Sequence, residues 1–89
     1  MELLNVWKKT VNISPNPFES YTIITVPEEI GKPYSLELFD QDGEKLLTQS
    51  NIISNKFILG KKDLKKGTYF FKIHNLDYSF LDTGKIIVN

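Results

Sequence analysis

GTYFFKIH, residues 67–74, has the clearest alternation of side chains in the chain. Tyr69, Phe71 and Ile73 occupy every second position, and the alternate positions hold Thr68, Phe70, Lys72 and His74. Successive side chains of a strand point to opposite faces of a sheet, so a period of two predicts a β-strand with one buried face. Burying each such apolar side chain stabilises a fold by about 1.5–3 kcal/mol. We therefore expect Tyr69, Phe71 and Ile73 in the core.

The rest of the chain divides into similar short pieces. Prolines, glycines and asparagines separate segments that alternate in the same way, and no stretch of ten or more residues keeps helical spacing. The predicted strands are 11–14, 22–26, 34–40, 45–49, 56–59, 68–74 and a last piece that ends at 88. Thr22, Ile24 and Val26 share one face of the second strand. Tyr34, Leu36 and Leu38 are expected to face inward from the third. About seven short strands at this spacing predict an all-β sandwich.

The spacing of Tyr69 and Phe71 indicates which kind of β-sandwich the chain forms. In immunoglobulin-type sandwiches, a tyrosine at the start of the penultimate strand stands two residues before an inward-facing core position. Tyr69 and Phe71 have this spacing. The prediction is an immunoglobulin-like, seven-stranded antiparallel β-sandwich.

Three local features of the sequence lead to further structural expectations. Asp42-Gly43 predicts a type I′ hairpin turn, because glycine adopts the required positive φ without strain. Counted from Asp40, Gly43 comes too early for an EF-hand calcium loop. Gly84 predicts a β-bulge in the last strand, and Leu64 is expected under the sheet edge.

Composition excludes several classes of protein. Eleven basic and eleven acidic residues cancel, whereas nucleic-acid and anionic-membrane binders carry a basic surplus. No apolar run approaches the roughly 20 residues of a membrane span, so direct membrane insertion is not expected. The segment MELLNVWKKT, residues 1–10, lacks the features of a signal peptide. We interpret residues 1–10 as a linker to an upstream cargo that is missing here, in which Trp7 can pack, and residues 11–89 as one domain.

No catalytic constellation is found in the sequence. His74 is the single histidine, and its position beside Lys72 on the outer face predicts a surface residue. There is no cysteine and no nucleophile or phosphate-loop motif. We expect no enzyme activity, no cofactor and no metal. The four lysines at positions 61, 62, 65 and 66 are interpreted as a solvated loop, with an anionic partner as the alternative.

Four segments together resemble a known family. They are ISPNPF (13–18), LELFDQDGEKL (36–46), LKKGTYFFKI (64–73) and GKIIVN (84–89), in this order. The set is similar to the C-terminal sorting domain of proteins exported by the type IX secretion system of Bacteroidetes. The matching positions that we take as recognition residues are Pro15, Asn16, Pro17, Phe18, Asp40, Gly43, Gly67, Tyr69, Lys85 and Val88.

The resemblance implies recognition and not catalysis. It implies an immunoglobulin-like sandwich that follows a cargo across the periplasm to the type IX outer-membrane translocon. The implied partners are that translocon, an outer-membrane shuttle protein and a surface sortase, which usually cuts upstream of the proline motif. Here the cut would fall within residues 1–12. The cargo is then expected to be secreted or held at the cell surface.

Both ends of the domain lead to structural expectations. Pro15 and Pro17 fix φ and remove two donors, so we expect a kink that holds the processing linker clear while Phe18 anchors the chain to the core. An ordinary stiff loop is the alternative. At the other end, a strand that stops one residue before Asn89 predicts accessible edge backbone and a free carboxylate. We expect Lys85 and residues 86–89 to contact the secretion machinery, or else only to complete a sheet.

Two other functions fit the same composition. An accessory module could bind carbohydrate or protein through an exposed row of Phe70, Tyr78 and Phe80. A purely structural spacer is the other rival. Short edge strands are also compatible with either a monomer or a dimer formed through an edge.

Overall fold

Seven strands form two sheets in the computed structural model, which describes residues 11–28, 30, 32–62 and 64–89. The strands are β1 (Asn12–Ser14), β2 (Tyr21–Thr25), β3 (Tyr34–Phe39), β4 (Lys45–Ile52), β5 (Lys56–Gly60), β6 (Gly67–Asn75) and β7 (Leu81–Val88). One sheet has the order β1-β2-β5 and the other β4-β3-β6-β7, with antiparallel neighbours throughout. The predicted all-β, seven-stranded antiparallel sandwich is confirmed. The described part of the chain contains no helix that could cross a membrane. The predicted linker 1–10, with Trp7, lies outside the described residues.

The fourth strand distinguishes this sandwich from a constant-type immunoglobulin domain. In the constant type, the fourth strand joins the sheet of the first, second and fifth strands. Here β4 pairs with β3 and therefore belongs to the other sheet. The edges of the sandwich are consequently β1 and β7 on one side, and β4 and β5 on the other.

The core lies between the two sheets and is built mainly from alternate residues of β2, β3 and β6. The buried positions of the inner strands include Thr22 and Ile24 on β2, Tyr34, Leu36 and Leu38 on β3, and Tyr69, Phe71 and Ile73 on β6. This confirms the predicted inward faces of β2, β3 and β6. Leu64 is half-buried against the core, as expected.

The Tyr69 hydroxyl makes the contact that its spacing implies. It donates a hydrogen bond to the backbone carbonyl of Lys65 at 2.6 Å. In immunoglobulin-type sandwiches the corresponding tyrosine bonds to backbone a few residues upstream. Tyr69 therefore fixes the loop that enters β6 while its ring fills the core.

The hairpin between β3 and β4 is not a type I′ turn. Gly43 has a φ of +86°, but outside glycine, positive φ among the described residues occurs only at Asn51, Lys62 and Tyr78. A type I′ turn needs positive φ at both central residues, so Asp42 excludes it. Instead the Asp40 carbonyl accepts from Gly43 N at 3.0 Å, and the Asp40 carboxylate accepts from the backbone N–H groups of Asp42 and Glu44, each at 2.9 Å. These bonds define a type I turn followed by a left-handed glycine.

Gly84 does not mark a bulge. Its strand pairs with β6 without a register shift, and Gly84 lies opposite Phe71. A Cβ atom on Gly84 would lie 2.7 Å from Cε2 of Phe71. The glycine is needed because the Phe71 ring covers its backbone.

Candidate recognition site

The proline motif carries the chain from one sheet to the other. Pro15 follows β1 directly, and Phe18 forms a parallel bridge with Val88 of β7. Prolines restrict φ and lack the N–H that ladder pairing needs, which favours leaving the first sheet here. Residues 15–18 therefore lie along the outer edge of β7, and we call them the edge clip.

Four hydrogen bonds join the edge clip to β7. The Asn16 side chain accepts from Ile87 N at 2.8 Å and donates to the Lys85 carbonyl at 3.0 Å. Phe18 N donates to the Ile87 carbonyl, and the Phe18 carbonyl accepts from Asn89 N, both at 2.9 Å. The asparagine amide thus replaces a backbone pair, since it carries one donor and one acceptor.

Two buried side chains fix the clip to the body of the sandwich. Phe18 is 1% exposed and confirms the expectation that it anchors this segment in the core. The Thr22 hydroxyl, also buried, donates to the Pro15 carbonyl at 2.6 Å. This role of Thr22 was not predicted, although a threonine on an otherwise apolar strand face was the available signal. Pro15, Asn16 and Pro17 remain exposed.

The expected free edge at residues 86–89 is wrong. The clip is bonded to Lys85 O, to both backbone groups of Ile87 and to Asn89 N. What remains exposed at this position is the side chain of Lys85. Any contact through Lys85 must use this ammonium group and not the carbonyl that Asn16 already occupies.

The expected effect of the kink on the linker is also wrong. β1 begins opposite Thr25, at the end of the sandwich away from the clip. There, Val11 N donates to the Asp82 carboxylate at 2.8 Å. The chain before Val11 therefore joins the domain at the far end of β1, and the prolines direct the segment that follows β1 instead.

The other motif residues lie at the same end as the clip. Gly67 (φ +152°) pairs with Val88, so the start of β6 meets the end of β7. The Gln41 amide lies 3.6 Å from where a Cβ on Gly67 would stand, which brings the turn of Asp40 and Gly43 against β6. We call this end of the sandwich the motif end. It contains Pro15, Asn16, Pro17, Phe18, Asp40, Gly43, Gly67, Tyr69, Lys85 and Val88.

Lys61 ties the two sheets together at the motif end. Its backbone N–H donates to the Ser20 carbonyl at 2.9 Å. Its ammonium group donates to the Asn89 carbonyl at 3.4 Å. This lysine of the basic loop therefore has a structural contact, which the sequence pattern did not indicate.

The surface of the motif end offers several means of binding. A shallow depression of about 390 Å³ lies beside the clip and is bordered by Pro15, Pro17, Tyr21 and Asn89. The proline rings and the half-exposed Tyr21 ring give it apolar walls. The charged residue at its border is Glu19, and the Lys85 side chain is a separate exposed group of the motif end.

The opposite end does not carry the alternative aromatic site. Phe80 is 8% exposed, so Phe70, Tyr78 and Phe80 do not form an exposed row. Tyr78 stacks on His74 with ring centroids 4.1 Å apart, and Phe70 lies further along β6, opposite Lys85.

The turn at this opposite end is held by its own polar groups. The buried Asn75 side chain accepts from Phe80 N at 3.0 Å and donates to the Ser79 hydroxyl at 2.9 Å. A hydrogen bond from the Ser79 backbone lowers the pKa of the Asp77 carboxyl. These polar groups are engaged in shaping the β6–β7 turn.

One protein family has a model that matches this chain. The family is described as a secretion system C-terminal sorting domain, and the match covers residues 12–89. The matched region begins at β1 and runs through β7, so it includes the edge clip and all residues of the motif end. No curated protein matches the chain.

Proposed function

The chain belongs to the secretion system C-terminal sorting domain family of the type IX system, and from this membership we propose that it directs an attached cargo through the type IX outer-membrane translocon. Membership makes the domain a secretion sorting signal that works with the type IX machinery, for a cargo that is secreted or held at the cell surface. The finer proposal is that a cell-surface sortase recognises the domain and usually removes it.

The observation that supports this proposal most strongly is the assembly of the motif end. Asn16 and its partner Ile87 are 71 positions apart in the chain. Residues that matter only for the core could be spread through both ends of the sandwich. Their collection at one end, around an exposed clip and the exposed Lys85 side chain, favours a surface that another protein reads.

The two ends of the domain have separate roles in this proposal. The chain before Val11 joins the sandwich at the end away from the clip. A cargo attached there leaves the motif end free to enter the translocon or to meet the shuttle protein. The sortase then cuts within residues 1–12, on the cargo side of the sandwich.

The chemistry of removal belongs to the partner in this proposal. The domain acts as signal and substrate, and it carries no catalytic role of its own. Its single histidine stacks on Tyr78 at the end opposite the motif residues. The cleaving nucleophile and the acid–base groups are therefore supplied by the sortase.

A transport assay with matched charge reversals tests the proposal. Residues 1–89 are fused behind a signal peptide and a fluorescent cargo in a bacterium with an intact type IX system. Lys85→Glu reverses an exposed charge at the motif end, and Lys56→Glu reverses an exposed charge at the opposite end. We expect surface or secreted cargo for the wild type and for K56E, and at least a five-fold loss with periplasmic retention for K85E.

The folding of both variants must be verified before the transport results are interpreted. Both variants alter exposed side chains, so each purified domain should unfold within about 0.5 kcal/mol of the wild type. Wild-type cargo trapped in the periplasm while the domain is folded would refute the sorting proposal. Equal export of K85E and K56E would instead remove Lys85 from the recognition surface.

A further inference from the structure

An open groove separates the edge strands β4 and β5. It has a volume of about 650 Å³ and lies on the side of the sandwich away from the edge clip. The apolar side chains that line it include those of Leu38, Leu47, Phe57, Leu59, Leu64 and Tyr69. An apolar groove between two unpaired sheet edges exposes both hydrophobic surface and backbone hydrogen-bonding groups.

Of the two edges, β5 is the regular one. Its five residues pair with β2 in unbroken register, from Tyr21 opposite Gly60 to Thr25 opposite Lys56. Within the described residues, no strand pairs with its other side. β4 is less suitable as a template, because its pairing with β3 has two register shifts and Asn51 has a φ of +59°. A regular free edge is what an added strand requires.

Lysines surround the end of the groove at which β5 finishes. Lys61, Lys62 and Lys65 all border it, together with Asp40, whose carboxylate accepts hydrogen bonds from two backbone N–H groups of its own turn. The Cγ atom of Lys62 lies 3.6 Å from where a Cβ on Gly60 would stand, so its stem runs beside the last residue of β5. Residues 61–66 contain four lysines and one aspartate, so an occupant with acidic side chains is electrostatically favoured.

We propose that this groove binds an extended polypeptide segment with alternating apolar and acidic side chains, which adds as a fourth strand to the β1-β2-β5 sheet. Alternate side chains of an added strand point to opposite faces. The apolar ones enter the groove over Leu47 and Leu64. The acidic ones stay in solvent within reach of Lys62 and Lys65. The groove shares Asp40 and Tyr69 with the motif end but lies at a different edge of the sandwich from the clip, so peptide binding to the isolated domain can be measured whether or not the domain sorts a cargo.

A synthetic peptide serves as the probe. It alternates valine and glutamate over about six residues, the usual length of a strand. Its binding to the isotope-labelled 89-residue chain is followed by amide chemical shifts, and its affinity by fluorescence anisotropy at low and high salt. We expect the largest shifts in β5 and at residues 61–66, with affinity falling as salt rises.

Matched variants separate the groove from nonspecific charge. Lys62→Glu combined with Lys65→Glu should weaken binding at least five-fold at low salt. The control Lys32→Glu combined with Lys85→Glu makes the same change of charge at exposed positions outside the groove and should change affinity less than two-fold. A peptide of alternating valine and lysine should bind at least five-fold more weakly than the acidic peptide.

Several results would overturn the proposal. Amide shifts that are confined to the edge clip, or spread evenly over the surface, would contradict binding in the groove. Equal weakening of peptide binding by the two pairs of variants would contradict it as well. Binding of anionic phospholipid vesicles with the same dependence on Lys62 and Lys65, but not of the peptide, would assign the surface to a membrane. Concentration-dependent shifts in β5 without peptide would mean that a second copy of the chain fills the groove.

Discussion

Gly84 lies directly against the Phe71 ring of the neighbouring strand, and this close approach supplies the first test. Gly84→Val would place a branched side chain where a Cβ alone meets the Phe71 ring at 2.7 Å. Overpacking of this kind should lower the free energy of unfolding by about 1–3 kcal/mol, which urea unfolding measures. Gly60→Ala is the control, because its Cβ would have only ordinary contacts. Equal stabilities of the two variants would contradict the assigned role of Gly84.

The Tyr69 hydroxyl gives a test of the corner that precedes β6. Tyr69→Phe removes its hydrogen bond to the Lys65 carbonyl while keeping the ring in the core. The loss should be about 0.5–1.5 kcal/mol of unfolding free energy. Tyr21→Phe is a matched control, since Tyr21 is half exposed and its hydroxyl has no hydrogen bond within the described residues. If Tyr21→Phe lowered the unfolding free energy by the same amount, the hydrogen bond between Tyr69 and Lys65 would have no stabilising effect of its own.

Tyr34 predicts a loss of stability in alkaline solution. Its ring is 1% exposed, its hydroxyl donates to the Ser54 carbonyl at 2.7 Å, and burial raises its pKa. The folded state therefore holds this proton more tightly than the unfolded chain, in which the pKa is about 10. The stabilisation is complete below that value and declines as pH rises through it towards the folded pKa.

Comparison with Tyr34→Phe isolates this effect. The unfolding free energy of each protein is measured at about pH 8 and about pH 11. The wild type should lose more stability than the variant between these two conditions, because the variant has no proton to lose at this position. Identical losses would contradict the assignment to Tyr34.

At the scale of strands and loops, the edge clip is the feature with the clearest prediction. Asn16→Ala deletes both side-chain bonds to β7 and exposes the backbone groups of Lys85 and Ile87. Amide hydrogen exchange at Ile87 should accelerate at least ten-fold, while exchange at Phe71 in the sheet interior stays within two-fold. Asn16→Asp keeps an acceptor for Ile87 N and should show a smaller effect. Unchanged exchange at Ile87 in N16A would mean that Phe18 and the Thr22–Pro15 hydrogen bond hold the clip without Asn16.

Strands were predictable from sequence where one face is buried. Alternation located β2, β3 and β6 together with their inward residues, because a period of two directly reflects burial of one face. It located β4 poorly: the prediction ended at 49, whereas the strand continues to Ile52. Most of β4 is exposed on both faces, so its sequence carries little alternation to read.

Turn and bulge predictions failed for a different reason. Asp42-Gly43 has the composition of a type I′ turn, but the Asp40 carboxylate binds two backbone donors and selects another turn. Gly84 has the composition of a bulge, but a ring on the neighbouring strand accounts for it. Both outcomes depend on a side chain outside the local dipeptide, which local composition does not include.

At the scale of the whole molecule, the motif residues were identified but their arrangement was not. The order of four segments was sufficient to indicate the family, which the family match confirms. The clip joins Asn16 to residues 69 and 71 positions away, and Thr22 holds it from beneath. Such long-range pairing follows from sheet topology, and no periodicity within the sequence encodes it.

The arrangement also changes which groups are available for recognition. The sequence predicted that the backbone of residues 86–89 is accessible for recognition, whereas the clip occupies that edge. The available groups are the exposed proline motif, the Lys85 side chain and the recess beside Tyr21. Recognition in this view is by the surface of the motif end and not by strand addition to β7.

Site-specific photocrosslinking during secretion tests this view most directly. A photoreactive phenylalanine analogue replaces Glu19, which is exposed beside the clip, or Ile53, which is 74% exposed at the opposite end. Both substitutions are carried by the same exported cargo fusion, and both should leave the domain folded. We expect Glu19 to crosslink to components of the type IX machinery at several times the yield of Ile53. Crosslinks mainly from Ile53, or equal yields from both positions, would contradict recognition through the motif end.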